Sequence, residues 1–245
     1  MKGIVTALAA LVALTGAAFA DGVERRNVVG YLTKESVAGF NFYAPMFEPI
    51  DAAEGIDIQK IKLGDGAESW ADNIQILDEG GSTIAIYTYA TADESGLDAD
   101  GWLNEDASAL AEVTLEAGQS VIVETANDDV VITYSGQVAT ADTPVTSVAG
   151  FNFVGNVSPA PIDIQQIKLG TTAESWADNI QILDEGGSTV AIYTYATADE
   201  SGLEADGWLN EDASALAVVE IEPGLGFILE TSNDDVTITL PGTAL

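Results

Sequence analysis

The chain contains no cysteine and no histidine. Without cysteine it has neither a disulfide nor a thiolate nucleophile, so its fold must rest on core packing. Without histidine it has no Ser-His-Asp triad, no imidazole base and no zinc site of the usual Cys/His kind. Basic residues are also scarce: 7 Lys and Arg stand against 40 Asp and Glu, a formal net charge of −33. Such a surface repels nucleic-acid phosphates and anionic lipid, which excludes both as expected partners. It attracts cations, and it keeps a protein soluble at high salt, where screening removes the self-repulsion. High charge also fits disorder, but 47% hydrophobic residues in a regular pattern argue for a folded chain.

Long apolar runs are missing everywhere except at the start. "MKGIVTALAALVALTGAAFA" has Lys2, an apolar run from Ile4 to Leu14, and small residues ending Ala18-Phe19-Ala20. That order predicts a signal peptide over residues 1–20, with Asp21 as the first mature residue. The run is too short for a membrane anchor, and no second segment replaces it. The expectation is export to the medium or cell surface, without membrane insertion.

What is present is a repeat. Residues Ala67–Ala111 match Ala173–Ala217 at 43 of 45 positions, offset by 106. The two differences are Ile84 against Val190 and Asp98 against Glu204. "VAGFNF" at 37–42 returns at 148–153, and "VETANDDVVITYSG" is answered by "LETSNDDVTITLPG". Two modules follow, 21–138 and 139–245, each long enough for its own core. Their seam falls in "SGQVATADTPVT", where small and polar residues gather around Pro144.

Within a module the hydrophobic period is two. "NIQIL" places Ile74 and Ile76 on one face, and "TIAIYTYA" places Ile84 and Ile86 opposite Ala85, Tyr87 and Tyr89. "EVTLE", "SVIVET" and "VVITY" continue the pattern. "DEGG" and "NDD" supply residues that accept positive φ at hairpin turns. The expected fold class is all-β: two tandem antiparallel β-sandwich modules, jelly-roll or Ig-like. The one helical candidate is a turn or two at "NEDASALA", with Asn104 as N-cap.

"NVVGYLTKESVAGFNF", "WADNIQILDEGGSTIAIYTYA", "DGWLNEDASALAEVTLEAGQSVIVE" and "VVITYSGQV" together resemble a secreted repeat module of bacterial surface and extracellular proteins. The second copy comes closest, at "GFNFVGNVSP" and "IEPGLGFILE". The resemblance implies a β-sandwich fold outside the cytoplasm and no enzymatic activity. The first copy departs from it where Ser120 and Val121 replace a Gly-aromatic pair.

Three constellations carry whatever chemistry there is. "SGLDADGWLNEDAS" gathers Asp98, Asp100, Asn104 and Asp106 like a calcium loop. An EF-hand needs ligands at positions 1, 3 and 5, Gly at 6 and Glu at 12. With Gly101 at position 6, Gly96 stands at 1 and Ala107 at 12; starting at Asp98 puts Trp102 at 5 and Ala109 at 12. Both registers fail, which leaves an irregular Ca²⁺ cage or a plain polar turn. Trp102 and Trp208 either stack on sugar rings or plug the end of a core, with Trp70 and Trp176 open to the same two readings. Paired carboxylates are the last enzymatic route, but 40 acids make close pairs by chance.

The expected protein is thus a non-catalytic tandem with a structural, assembly or adhesive role at the cell surface or in the extracellular matrix. Its expected partners are itself, other surface proteins or glycans. The alternative is a glycan-binding module, calcium-assisted. The lead strand "RNVVGYLT" has no close copy before module 2, which predicts head-to-tail association by strand donation.

Overall fold

The computed structural model describes residues 29–45, 47–48, 55–78, 81–116, 118–184 and 186–243, so the signal segment expected at 1–20 lies outside the described residues. Module 1 contains β1 (Val29–Glu35), β2 (Gly39–Tyr43), β3 (Phe47–Glu48), β4 (Ile56–Asp57), β5 (Ile61–Leu63) and β6 (Asn73–Leu77). It continues with β7 (Thr83–Ala90), β8 (Gly101–Trp102), β9 (Thr114–Leu115), β10 (Val121–Thr125) and β11 (Val131–Val138). Module 2 opens with β12 (Thr143–Thr146), β13 (Gly150–Gly155), β14 (Ile162–Asp163), β15 (Lys168–Leu169) and β16 (Asn179–Leu183). It closes with β17 (Thr189–Ala196), β18 (Gly207–Trp208), β19 (Glu220–Ile221), β20 (Gly226–Thr231) and β21 (Thr237–Leu240).

The fold is all-β, as the period of two predicts, and the ladders are antiparallel. Each module holds one five-stranded sheet, ordered β2-β10-β6-β7-β8 and β13-β20-β16-β17-β18. Around β11 gather β1, β3 and β5; around β21 gather β12 and β15. A third, two-stranded ladder joins β4 to β9 and β14 to β19. The plain two-sheet sandwich expected for each module is therefore corrected to three sheets. The small ladders stop after two rungs because the chain turns at once into a 3₁₀ turn, Ile58–Lys60 or Ile164–Gln166. Asp57 and Asp163 fix that turn by accepting the Gln59 and Gln165 N–H groups, each at 2.9 Å.

The lead-strand expectation is corrected as well. β1 pairs with β11 along its whole length, from Val29 opposite Gln137 to Glu35 opposite Val131. β12, within "TADTPVT", takes the same place on β21. The lead strand thus completes the sheet of its own module, with one edge paired to β11. Between β11 and β12 only residues 139–142 connect the modules.

Each module has one buried cluster fed by both larger sheets. Ile74 and Ile76 of β6 and Val121 and Val123 of β10 pack with Ile132 and Tyr134 of β11. Ile180, Phe227, Leu229, Ile238 and Leu240 do the same in module 2. Full burial of such side chains stabilises by about 1.5–3 kcal/mol each.

The helix expected at "NEDASALA" is absent. Asn104 does cap there, but its Oδ1 accepts Ser108 N at 2.9 Å and Ala109 N at 3.2 Å, closing a turn. Ala107 sits at φ +55°, and the chain returns so that Leu103 bridges Leu110. Single helical turns occur instead at α1 (Ala92–Ser95) and α2 (Ala198–Ser201). No helix among the described residues is long and apolar enough to cross a membrane.

Candidate interaction surface

The loop with the calcium-like spelling folds into hydrogen bonds with its own backbone. Asp100 Oδ1 accepts Ala92 N at 2.7 Å, capping α1 where Thr91 makes no side-chain cap. Asp106 Oδ1 accepts the Ser108 hydroxyl at 2.6 Å and Ser108 N at 3.2 Å. The Ser108 hydroxyl holds the Asp106 carboxyl below its ordinary range, and Ser214 does the same to Asp212. Asn104 Oδ1 is spent on Ser108 and Ala109, and Asp98 is exposed. Asn104 and Asp106 thus share Ser108 as a partner, while Asp100 is turned to Ala92 N. Among the described residues no group of three or more acids is placed to hold a metal ion. In the bonds named, oxygens that the calcium expectation assigns to an ion accept amide or hydroxyl protons of tight turns.

Trp102 and Trp208 are corrected as sugar-stacking candidates. They are 0% and 1% exposed, so neither ring offers a face to a ligand. Trp102 Nε1 donates to Ile61 O at 2.8 Å, and its ring meets Tyr89 edge-on at 5.6 Å. Gln59 clamps the backbone, accepting Trp102 N and donating to Trp102 O and Ala111 O. Gln165 repeats this around Trp208. A Cβ at Gly101 would collide with Gln59, which is why glycine precedes the tryptophan. The exposed indoles belong to Trp70 and Trp176, 51% and 50% accessible. Both sit at positive φ, +67° and +66°, unusual for a bulky residue. The loop is braced by buried Asp72, which accepts Glu68 N at 2.7 Å and Ala126 N at 2.8 Å. Asp178 braces the Trp176 loop in the same way.

A pair of exposed apolar side chains stands on each of β7 and β17. Tyr89 and Tyr195 must face the core to reach Trp102 and Trp208, so the period of two turns Ile84, Ile86, Val190 and Ile192 outward. These four are 64%, 54%, 61% and 51% exposed. β6 covers one edge of β7, but β8 pairs only with Tyr89 and Ala90. Among the described residues nothing pairs with the rest of that edge, Thr83–Tyr87, and β17 is left open likewise. The eight residues of β7 contain no charge and no proline, the devices that normally blunt an edge.

This strip continues across the sheet. In register, Ile86 stands opposite Gln75, Gln75 opposite Ile122, and Ile122 opposite Phe42. Module 2 repeats the row as Ile192, Gln181, Ile228 and Phe153. The two rows meet where Phe42 stacks on Phe153, with centroids 6.1 Å apart. Beside the junction a cleft of about 650 Å³ is walled by β6 and β7 on one side and by β12 and β13 on the other.

No family model, no curated protein and no solved structure matches the chain.

Proposed function

We propose that this is an exported, non-catalytic protein with a structural, assembly or adhesive role, and that the uncharged outer strip is its contact surface. The carrying observation is the open edge Thr83–Tyr87 and its copy on β17, with Ile84, Ile86, Val190 and Ile192 facing solvent. On a chain of net charge −33, copies repel one another except where charge is missing. Two edges free of charge and proline are suited to antiparallel pairing between molecules or with a partner's strand. In this reading each module is a sandwich, supported by the single cluster that both larger sheets fill. The leading residues 1–20 support export, and N-terminal sequencing of secreted material should begin at Asp21.

Light scattering over a salt series tests the surface. Association should rise with salt as screening lengthens contact times. The Ile86→Lys/Ile192→Lys variant should stay monomeric throughout while keeping its melting temperature. Equal masses for the two proteins at every salt concentration would remove the proposal.

A second reading, glycan binding, is favoured by one observation. Trp70 and Trp176 are half exposed and held at positive φ in both copies, and backbone strain of this kind concentrates at functional sites. A glycan array with Trp70→Ala/Trp176→Ala decides it: binding lost in a folded variant supports the reading, and no binding by the parent ends it.

A further inference from the structure

The contact between the modules is reciprocal. Counting by the repeat, Tyr43 and Ala44 correspond to Val154 and Gly155, while Gly81, Gly118, Gln119 and Ser120 correspond to Gly187, Gly224, Leu225 and Gly226. Ala44 N donates to Gly224 O at 3.1 Å, and Gly155 N donates to Gly118 O at 3.1 Å. Tyr43 bridges Leu225, and Val154 bridges Gln119. Phe42 lies against Gly187 so closely that no Cβ fits there, and Phe153 lies against Gly81 in the same way. Contacts that map onto themselves when the partners are exchanged define an isologous, two-fold interface. Residues on its axis must meet their own equivalents. Phe42 meets Phe153, and Ala44 meets Gly155.

The axis also distinguishes the modules. A Cβ at Gly155 would collide with the Ala44 Cβ. Two copies of module 1, each with alanine on the axis, therefore cannot pair this way. A module 1 with a module 2 can. The 1–2 pair gains a further bond: Ser120 Oγ donates to Val154 O at 2.5 Å. Module 2 has Gly226 in that place, packed on the Phe42 backbone, so a 2–2 pair lacks the bond.

We infer that this interface is exchangeable between molecules, with a second copy of the chain as partner and module 1 of one chain seated on module 2 of another. The modules behave as protomers of a dimer tied by residues 139–142, the arrangement from which swapped dimers and head-to-tail strings arise at little energetic cost. The interface abuts the start of β7, where Ile84 and Ala85 line the shared cleft, but Ile86 and Ile192 lie outside that lining, so substitutions there separate the two assembly routes.

The cysteine-free background permits a direct test on the full chain. Gln119 and Val154 face each other across the interface and line the same cleft. A Gln119→Cys/Val154→Cys chain should crosslink within itself on oxidation. Gln119→Cys and Val154→Cys chains, prepared separately and held together at high concentration, should yield a covalent two-chain product. Its yield should exceed that of either chain alone at least severalfold. Gly155→Ala should lower both yields, and adding Ala44→Gly, which moves the methyl to the other side of the axis, should restore them. Adding Ile86→Lys/Ile192→Lys should leave both yields unchanged. If the internal crosslink forms but the mixture gives no more product than its controls, exchange does not occur. If the internal crosslink itself fails, the interface is wrong and the inference falls with it.

Discussion

The two modules fill the same space with different side chains. On one rung of module 1, Tyr43 of β2 faces Val121 of β10; on the matching rung of module 2, Val154 faces Phe227. All four are buried. Each rung holds one aromatic ring and one valine, but the ring has moved to the opposite strand. The core therefore constrains the content of the pair more tightly than either position. Ser120-Val121 stands where module 2 has Gly226-Phe227, and Tyr43 already occupies the volume an aromatic at 121 would need. A neighbouring difference is less balanced. Tyr134 of β11 stands where module 2 has Leu240, meets Tyr43 edge-on at 6.0 Å, and its buried hydroxyl has no hydrogen-bond partner.

The sharpest way to break the comparison is at the residues that do not differ. Trp102→Ala and Trp208→Ala each remove a buried ring held by one main-chain carbonyl and one tyrosine. Each should cost about 3–5 kcal/mol in its own module. Denaturant titrations should give two equal losses, and the double variant their sum, because the two rings belong to separate buried clusters. Unequal losses would mean that the cores are supported differently despite identical plugs.

The next effect is smaller and tests the traded ring. Val121→Phe alone puts two aromatics on one rung and should destabilise module 1 by about 1–3 kcal/mol through overpacking. Adding Tyr43→Val recreates the arrangement of module 2 and should recover most of that loss. If the double variant is no better than Val121→Phe, the rungs are not interchangeable. Smaller again is Tyr134→Phe, which removes an unpartnered buried hydroxyl and should stabilise by about 1 kcal/mol. Burial raises the Tyr134 phenol well above its ordinary value, with Tyr43 adding to the shift. Burial also raises Tyr89 and Tyr195, so an absorbance titration should show a late alkaline phase that loses one tyrosine's amplitude in the variant.

Much of the fold was legible because strands announce themselves by alternation: β6, β7, β10 and β11 fall where the period of two puts them. The facing of β7 was not legible. Both of its sides are apolar, and the choice is made by Trp102, thirteen residues beyond Tyr89, which draws the tyrosine inward and leaves the isoleucines outside. The acidic loop was only half legible for a related reason. Spacing alone puts carboxylates near one another, but whether they converge depends on which amides lie within reach, and Asp100 finds Ala92 N. The module contact was hidden entirely, since Phe42 and Gly187 belong to different copies and no local pattern joins them.

The smallest expected effect concerns the copied loops. Asp98 and Glu204 are their only difference, and neither is among the groups that shift Asp106 or Asp212. Both carboxyls are held low chiefly by a serine hydroxyl, then by the same serine's N–H. A carboxyl whose folded pKa is depressed stabilises the fold above its unfolded value of about 3.9, and that contribution is lost as pH falls through the folded value. Carboxyl-carbon NMR titration should place both midpoints below the ordinary aspartate range and together. Ser108→Ala should raise Asp106 alone, and Ser214→Ala Asp212 alone. A parent protein in which the two midpoints already differ would show that residue 98 or 204 reaches the turn after all, and the loops would then be two sites rather than one site copied.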